Sequence, residues 1–213
     1  MPLQALTQDY RLYWTQRTTC DSVRNMSINK RNLPYLITAV VFFATIATLL
    51  LMGREPICKC GVVKLWYFEL LTSEGSQHLI DWYTPSHLLH GFLFYGLLWL
   101  TARRMNIGWR LVIATLIESA WEILENSPII IERYREVTIA LDYFGDSVIN
   151  SATDLLAMLT GFWLASRLPV WASVAIVIGF EVLTMALIRD GLALNIIMLI
   201  SPMDAILSWQ SAL

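Results

Sequence analysis

The chain has 213 residues, of which 56% are hydrophobic and only 15% are charged. Soluble domains carry charge on about a quarter of their residues, so this composition excludes an ordinary soluble enzyme. The 15 Lys and Arg against 17 Asp and Glu give a net charge of −2, and no basic face is long enough to follow a phosphate backbone, which argues against nucleic-acid binding. We therefore expect an all-α fold, a polytopic transmembrane helix bundle.

An N-terminal arm, residues 1–33, precedes the first long apolar run and is rich in basic residues: Arg11, Arg17, Arg24, Lys30 and Arg31. The positive-inside rule places such an arm in the cytoplasm. Residues 34–213 are expected to form a single transmembrane domain. The arm is long and no small-residue cleavage pattern follows the apolar run, so a cleaved signal peptide is not expected.

A helix needs about 20 apolar residues to cross the hydrocarbon core. Six segments are candidates: 34–52, 83–101, 107–124, 147–168, 169–188 and 192–207. The last segment contains Pro202 and Asp204, and it is interpreted either as a tilted span or as a re-entrant segment. Arg103, Arg104 and Arg110 follow the second span without an acid, which predicts a cytoplasmic loop there and outward-facing acidic segments.

Residues 54–82 are too polar to span but contain many apolar side chains, and they predict an amphipathic helix at the outer interface. Cys58 and Cys60 lie in this outward segment as a Cys-x-Cys pair. An oxidising compartment would permit a disulfide between them, and two free thiols, a thiol-redox role or a soft-metal role are the alternatives. His78 is expected to be a solvated loop residue.

Ionisable side chains collect toward the predicted outer ends of the second, third and fourth spans. His87 and His90 are three residues apart and share a helix face. The acids and amide of the set are Glu118, Glu122, Glu125, Asp146, Asn150 and Asp154. An ionisable group at mid-membrane costs about 2.5–3.5 kcal/mol, so these groups should face the bundle interior and converge there.

Three alternatives would compensate the cost of burying the ionisable groups of this cluster. A divalent metal such as Zn²⁺, Mn²⁺ or Fe²⁺ suits two histidines with several carboxylates. An ion-pair network would use Arg133, Arg135 and Arg189. Local helix capping would use Asp146 or Ser147 on the fourth span, Thr84 or Ser86 on the second, and Asn126 at the end of the third.

Two further acids lie deeper or later in the chain. Glu181, within the fifth span, is either protonated and hydrogen-bonded or a member of the site. Asp204, beside Pro202, is expected to cap a break in the last helix.

Five strings carry a resemblance: CKCG (58–61), DWYTPSHLLHGF (81–92), WEILENSP (121–128), LDYFGDSVINS (141–151) and IRDGLALNIIML (188–199). They resemble an uncharacterised family of bacterial inner-membrane proteins, a domain of unknown function, over residues 34–210. The resemblance implies an integral inner-membrane protein and supplies no activity.

A fainter likeness is to the YjdF-like polytopic proteins. The pairs that follow their order are His87 with Gly91-Phe92, Glu122 with Glu125, Gly145 with Asp146, and Asp154 with Gly161. The gap between Asp146 and Asp154 is one residue longer than in that pattern, and Asn150 stands where an acid is usual. VanZ-like proteins are similar at the level of fold only.

The leading hypothesis is a metal-dependent membrane hydrolase that acts on a lipid-type substrate at the outer leaflet. Its metal ligands would be His87, His90, Glu122, Asp154 and Asp146, its nucleophile a metal-bound water, and its catalytic base Glu118 or Glu125. The alternatives are a non-enzymatic accessory or assembly subunit of a larger membrane complex, and a small ion or proton transporter. The expected partners are the lipid bilayer and, for the second hypothesis, other membrane-protein subunits.

Overall fold

The computed structural model describes residues 30–70 and 72–212. Within these ranges the regular structure is helical, with one isolated bridge between Trp66 and Ile80, so the all-α expectation is confirmed. The helices are α1 (Leu33–Leu51), α2 (Thr84–Thr101), α3 (Ile107–Glu125), α4 (Pro128–Val137), α5 (Val148–Arg167), α6 (Val170–Ile188), α7 (Leu192–Ile200) and α8 (Asp204–Gln210). The chain divides into two units, residues 1–34 and residues 35–213.

The first five predicted spans correspond to α1, α2, α3, α5 and α6, with each boundary within one residue of the prediction. Of these, α1, α5 and α6 are long and apolar enough to cross a membrane. Helices α2 and α3 have similar lengths, 18 and 19 residues, but α2 carries two histidines and α3 three glutamates. Helices α2 and α3 are therefore about as long as the three apolar helices, but their polar residues make them less apolar.

The predicted sixth span is a broken helix. Helix α7 has 9 residues and α8 has 7, and neither reaches the length of a straight span. Pro202 lies in the break, where its missing N–H and its restriction of the preceding residue end α7. Asp204 is the first residue of α8 and Met203 holds the cap position without a side-chain cap, so the expectation that Asp204 caps the break is wrong.

The predicted amphipathic helix within residues 54–82 is wrong, because no described residue between α1 and α2 is helical. The segment instead folds back on itself, with Tyr67 N–H donating to Ile80 O at 2.8 Å and Ile80 N–H to Leu65 O at 3.1 Å. Gly61 has a φ of +76°, which a helix does not accommodate. The apolar residues Val62, Leu65 and Trp66 are largely exposed along this extended chain.

This segment, which we call the outer loop (54–82), is anchored on the start of α5. Ser147 caps α5 by accepting from Asn150 N–H at 3.3 Å, as predicted, and donates its hydroxyl to Gln77 O at 3.0 Å. Asn150 Nδ2 donates to His78 O at 2.8 Å. The outer loop therefore covers the end of the bundle at which the polar cluster lies.

Helix α2 is capped differently from the prediction. Tyr83 holds the cap position, and the Asp81 carboxylate accepts from the backbone N–H of Tyr83 at 2.7 Å and of Thr84 at 3.1 Å. The expectation that Thr84 or Ser86 caps α2 is wrong, because the Asp81 carboxylate, which lies before the helix, accepts from these N–H groups instead. Asn126 ends α3, as expected.

Helices α2 and α5 cross at two glycines. A Cβ added to Gly91 would overlap the Met158 carbonyl oxygen, and one added to Gly161 would overlap the Leu88 carbonyl oxygen. The two backbones are thus in direct contact at this point. Because His87 lies one turn before Gly91 and Asp154 two turns before Gly161, the crossing brings these two side chains into the same part of the bundle.

The opposite end of the bundle is apolar. Leu98, Ala114, Met158 and Phe162 form a buried cluster contributed by α2, α3 and α5. Tyr95 packs edge-on against Phe162, with 5.3 Å between ring centroids. The polar cluster is therefore confined to one half of the helix bundle.

Candidate functional site

Two histidines of α2 face the carboxylates of α3. His87 Nδ1 lies 2.7 Å from Glu118 Oε1 and 3.3 Å from Glu122 Oε1. His90 Nδ1 lies 2.9 Å from Glu118 Oε2. Since His87 and His90 are one turn apart, as are Glu118 and Glu122, each pair presents two groups on one helix face, and packing of α2 against α3 joins the faces.

These carboxylates are removed from solvent. Glu118 and Glu122 are 0% exposed and Asp154 of α5 is 3% exposed. Neither oxygen of Glu122 and not Oδ1 of Asp154 has a hydrogen-bond partner in the part of the chain that the structure describes. Because a buried polar atom without a partner is costly, and a charged one more so, these oxygens point to a group that compensates them.

The side chains form two groups with metal-ligand character that share His87. One contains His87, His90 and Glu118, and the other His87, Glu122 and Asp154. Within each group the potential ligand atoms lie within 4.8 Å of one another. The structure thus brings together four of the five predicted ligands, and adds Glu118, which the sequence suggested as a base.

Asp146, the fifth predicted ligand, lies outside both groups. Its Oδ1 accepts from the Tyr143 hydroxyl at 3.0 Å and its Oδ2 from Asn126 Nδ2 at 2.9 Å, while its backbone N–H donates to Asn126 Oδ1 at 2.8 Å. Burial, followed by the charge of Asp81, raises the pKa of Asp146 to about 6. Both carboxylate oxygens are engaged, so Asp146 supports the start of α5.

Glu125 keeps one free oxygen. The Tyr134 hydroxyl contacts Glu125 Oε1 at 3.0 Å and Asn195 Oδ1 at 2.9 Å. Glu125 Oε2 is buried and has no hydrogen-bond partner among the described residues. Glu125 is therefore held by Tyr134 of α4, which in turn contacts Asn195 of α7, while one oxygen of Glu125 has no such contact.

Two cavities meet at this cluster. The first, of about 40 Å³, is polar, and its lining includes Tyr83, His87, Glu125, Asp154 and Asn195. It exceeds the roughly 10–15 Å³ that one water requires. The second, of about 350 Å³, begins at His90 and Glu118 and continues between apolar side chains: Leu93, Phe94, Ile117, Trp121 and Ile196. A polar centre thus opens onto an apolar compartment of ligand size.

Sequence reasoning missed several residues of this region. Asp81 accepts from Asn150 Nδ2 at 3.4 Å, and the Tyr83 hydroxyl donates to Asp190 Oδ2 at 3.2 Å. Asn195 reaches the site from α7, which follows α3 by many residues. The sequence signal for these residues was weak: Asp81 lies two residues before the predicted second span, and Asn195 is the one polar residue of α7.

The predicted arginine network is wrong. Arg133 donates to the Leu199 carbonyl at 3.1 Å and Arg189 to the Trp209 carbonyl at 2.8 Å, and Arg135 donates to the Tyr143 carbonyl. These guanidinium groups satisfy backbone oxygens at helix ends and loops. In the part of the chain that the structure describes, these arginines therefore do not compensate the buried carboxylates.

Glu181 is hydrogen-bonded, which is one of the two alternatives for it, whereas His78 differs from expectation. Glu181 accepts from the backbone N–H groups of Leu192 at 2.8 Å and Ala193 at 3.1 Å, so it serves the start of α7. His78 is 0% exposed, so the expectation that it is solvated is wrong. Cys58 and Cys60 are joined by a disulfide.

Comparison with known proteins identifies the family of this chain. A family described as Protein of unknown function (DUF2585) matches residues 49–212. The chain belongs to this family. The match confirms the resemblance to an uncharacterised bacterial family, whereas a likeness to YjdF-like or VanZ-like proteins is not shown.

Similar bacterial proteins cover most of the chain. A UPF0314 protein of Paracoccus denitrificans is 64% identical over 184 residues, which is 86% of this chain and 95% of that protein. A UPF0314 protein of Agrobacterium fabrum is 52% identical over 194 residues, 90% of this chain and 98% of that protein. No solved structure matches the chain. The bacterial relatives and the three apolar helices together indicate a bacterial membrane protein.

Proposed function

We propose that this protein is a metal-dependent hydrolase of the bacterial inner membrane that acts on a lipid-type substrate. The observation that carries the proposal is the set of buried oxygens of Glu122 and Asp154 that have no hydrogen-bond partner among the described residues and lie in one group with His87. A divalent cation compensates such oxygens directly, and donors limited to nitrogen and oxygen suit Zn²⁺, Mn²⁺ or Fe²⁺.

Glu118 orients the histidines in this proposal. Its two oxygens face Nδ1 of His87 and Nδ1 of His90, at 2.7 and 2.9 Å. A histidine that donates Nδ1–H to a carboxylate keeps Nε2 for a metal, and the carboxylate fixes the ring and raises its basicity. We therefore propose His87, Glu122 and Asp154, which form one group, as ligands, His90 of the neighbouring group as a further ligand, and Glu118 as a positioning residue.

Glu125 is the better candidate for the general base. Both oxygens of Glu118 are engaged by histidines, whereas Glu125 Oε2 is without a hydrogen-bond partner among the described residues and Tyr134 holds its other oxygen. Glu125 lines both the polar and the apolar cavity. As a general base it would take a proton from water, and a cation held by the proposed ligands would polarise the bond to be cleaved.

The apolar cavity supports a lipid-type substrate. Its volume of about 350 Å³ falls in the range of about 300–1,000 Å³ that small-molecule sites occupy. Its aromatic and aliphatic lining would hold a hydrocarbon chain and leave a polar head beside Glu118 and His90. Transport is supported less, because the cluster of Leu98, Ala114, Met158 and Phe162 fills the opposite half of the bundle.

We propose that the site faces the periplasm and the N-terminus the cytoplasm. Arg103 and Arg104 lie in the loop between α2 and α3, at the apolar end of the bundle, and the positive-inside rule assigns that end to the cytoplasm. The outer loop and the site are then on the other side. The lipid bilayer is the proposed partner, since α6 exposes many large apolar side chains.

The test is elemental analysis of detergent-purified protein, without added reductant. We expect about one equivalent of a divalent metal in the wild type, and a loss of most of it in His87→Ala, Glu122→Gln and Asp154→Asn, because each removes a ligand. Asp142→Asn is the matched control, since Asp142 is exposed and outside the cluster. The metal-containing protein should release a water-soluble headgroup from liposomes of bacterial lipids, and a chelator should stop this release.

Metal content that is unchanged in all three site variants would overturn the proposed ligand set. A folded wild type without metal that co-purifies with other membrane subunits would instead favour the accessory-subunit hypothesis.

A further inference from the structure

A second cluster of metal-ligand side chains lies in the outer loop, apart from the histidines of α2. Cys58, Cys60, Glu74 and His78 each offer a ligand atom, and these atoms all lie within 4.8 Å of one another. Ligands of one tetrahedral Zn²⁺ are about 3.3–3.8 Å apart, given bond lengths of about 2.0–2.3 Å. Shifts of about 1 Å or less therefore suffice to place all four around one cation.

The fold holds this cluster together from several sides. His78 is 0% exposed, its ring lies 4.9 Å from the ring of Tyr67, and Lys64 N–H donates to its Nδ1 at 3.3 Å. Asn150 of α5 anchors the backbone of His78. Cys58 is 3% exposed and its sulfur accepts from Cys60 N–H at 3.1 Å, a contact that stabilises negative charge on sulfur. Two of the four ligands are thus buried and fixed.

Glu74 completes the set from the solvent side. Lys64 Nζ at 2.7 Å and His78 Nε2 at 3.1 Å both contact its Oε2, so neither contact occupies Oε1. A partly exposed carboxylate gives an ion a route from solvent. Two sulfurs, one imidazole and one carboxylate form a donor set that suits four-coordinate Zn²⁺ and that Mg²⁺ or Ca²⁺ would not favour.

We propose that the outer loop, with the Cys58–Cys60 bond reduced, binds one thiophilic divalent cation, Zn²⁺ above all, through Cys58, Cys60, His78 and Glu74. Two electrons from a dithiol, which becomes a disulfide, or from a phosphine, which becomes a phosphine oxide with oxygen from water, break the S–S bond and release each sulfur as a thiolate or thiol. For His78 Nε2 to bind the ion, the ring proton moves to Nδ1, which gives up its contact with Lys64 N–H, and any remaining thiol protons pass to solvent. The oxidised loop, as in this structure, lacks the two thiolates and does not hold the ion.

The test uses Co²⁺ alone as a probe, added to the full-length protein in detergent before and after treatment with a phosphine and removal of the excess. Thiolate ligands give Co²⁺ a sulfur-to-metal charge-transfer band in the near ultraviolet, which ligands of the His87 group do not produce. We expect reduced protein to take up one more equivalent than oxidised protein and to show this band. Zn²⁺ should then displace Co²⁺ and abolish the band.

Variants separate this site from the one in the helix bundle. Cys58→Ser and Cys60→Ser should lose the band, and His78→Gln should weaken binding by at least about tenfold, as loss even of an outer partner does. His87→Ala should keep the band, since His87 belongs to the groups in the helix bundle and not to this cluster. Equal Co²⁺ uptake by oxidised and reduced wild type, or a band that persists in Cys58→Ser, would overturn the proposal, and neither outcome depends on the bundle site.

Discussion

Buried carboxylates of this protein differ in what holds their oxygens. Both oxygens of Glu118 face histidines, and both oxygens of Asp146 accept from a tyrosine and an asparagine. Those of Glu122 have no hydrogen-bond partner among the described residues. This difference distinguishes Glu118, the proposed positioning residue, and Asp146, a structural residue, from Glu122, a proposed ligand.

Asp146 gives a prediction for the pH dependence of stability. An aspartate in the unfolded chain titrates near a pKa of about 3.9, whereas burial raises the pKa of Asp146 to about 6 in the fold. Between these values the unfolded chain binds fewer protons than the folded one, so the free energy of unfolding falls as pH rises from about 4 to about 6, by up to about 3 kcal/mol for this group. Asp146→Asn should make the fall shallower.

Thermal unfolding in detergent at several pH values between about 4 and 7 measures this effect. Asp142→Asn, at an exposed position, should keep the wild-type dependence of Tm on pH. The same slope in Asp146→Asn as in the wild type would show that this carboxyl does not titrate in that interval.

At the element scale, the crossing of α2 and α5 sets the geometry of the site. Gly91 and Gly161 allow backbone contact, and the side chains one or two turns earlier, His87 and Asp154, meet as a result. Small residues serve this purpose in membrane helix pairs because they let backbones approach closely.

Gly91→Ala and Gly161→Ala should therefore destabilise the protein. The added Cβ overlaps backbone atoms that cannot rotate away, and overpacking of this kind costs about 1–3 kcal/mol or more. Gly96→Ala is the control: nothing lies within 4 Å of its added Cβ, and Ala favours a helix over Gly by about 0.5–1 kcal/mol. Unfolding midpoints in detergent should fall for the first two and stay level or rise for the third. Equal unfolding midpoints for Gly91→Ala and Gly96→Ala would contradict direct backbone contact between α2 and α5 at Gly91.

Helix positions could be predicted from the sequence because each depends on a local apolar run and its ends. The boundaries of α1, α2, α3, α5 and α6 follow such runs, and Ser147 and Asn126 mark ends as expected. The outer loop could not be predicted in this way, since its backbone pairing of Tyr67 with Ile80 joins distant residues. The stripe of Glu118 and Glu122 indicated a site, whereas the contributions of Asp81, Tyr134 and Asn195 depend on how separate elements pack.

At the scale of the whole molecule, the proposed orientation puts the two ends of the bundle on different sides of the membrane. In a protein whose native cysteines are replaced by serine, Asp142→Cys should react with a membrane-impermeant maleimide added to spheroplasts. Arg103→Cys should react only after the membrane is opened, because the positive-inside rule assigns the basic loop to the cytoplasm. Both positions are exposed, so accessibility within the fold does not separate them. The reverse labelling pattern would invert the orientation.

The metal centre proposed for the helix bundle is tested most directly by X-ray absorption at the edge of the bound metal, on protein carrying Cys58→Ser and Cys60→Ser. We predict a shell of nitrogen and oxygen neighbours, at about 2.0–2.2 Å if the metal is zinc, with the outer scattering of imidazole and no sulfur near about 2.3 Å. The imidazole signal should weaken in His87→Ala. A wild-type spectrum without imidazole scattering, or a metal environment that His87→Ala leaves unchanged, would contradict a metal centre held by α2, α3 and α5.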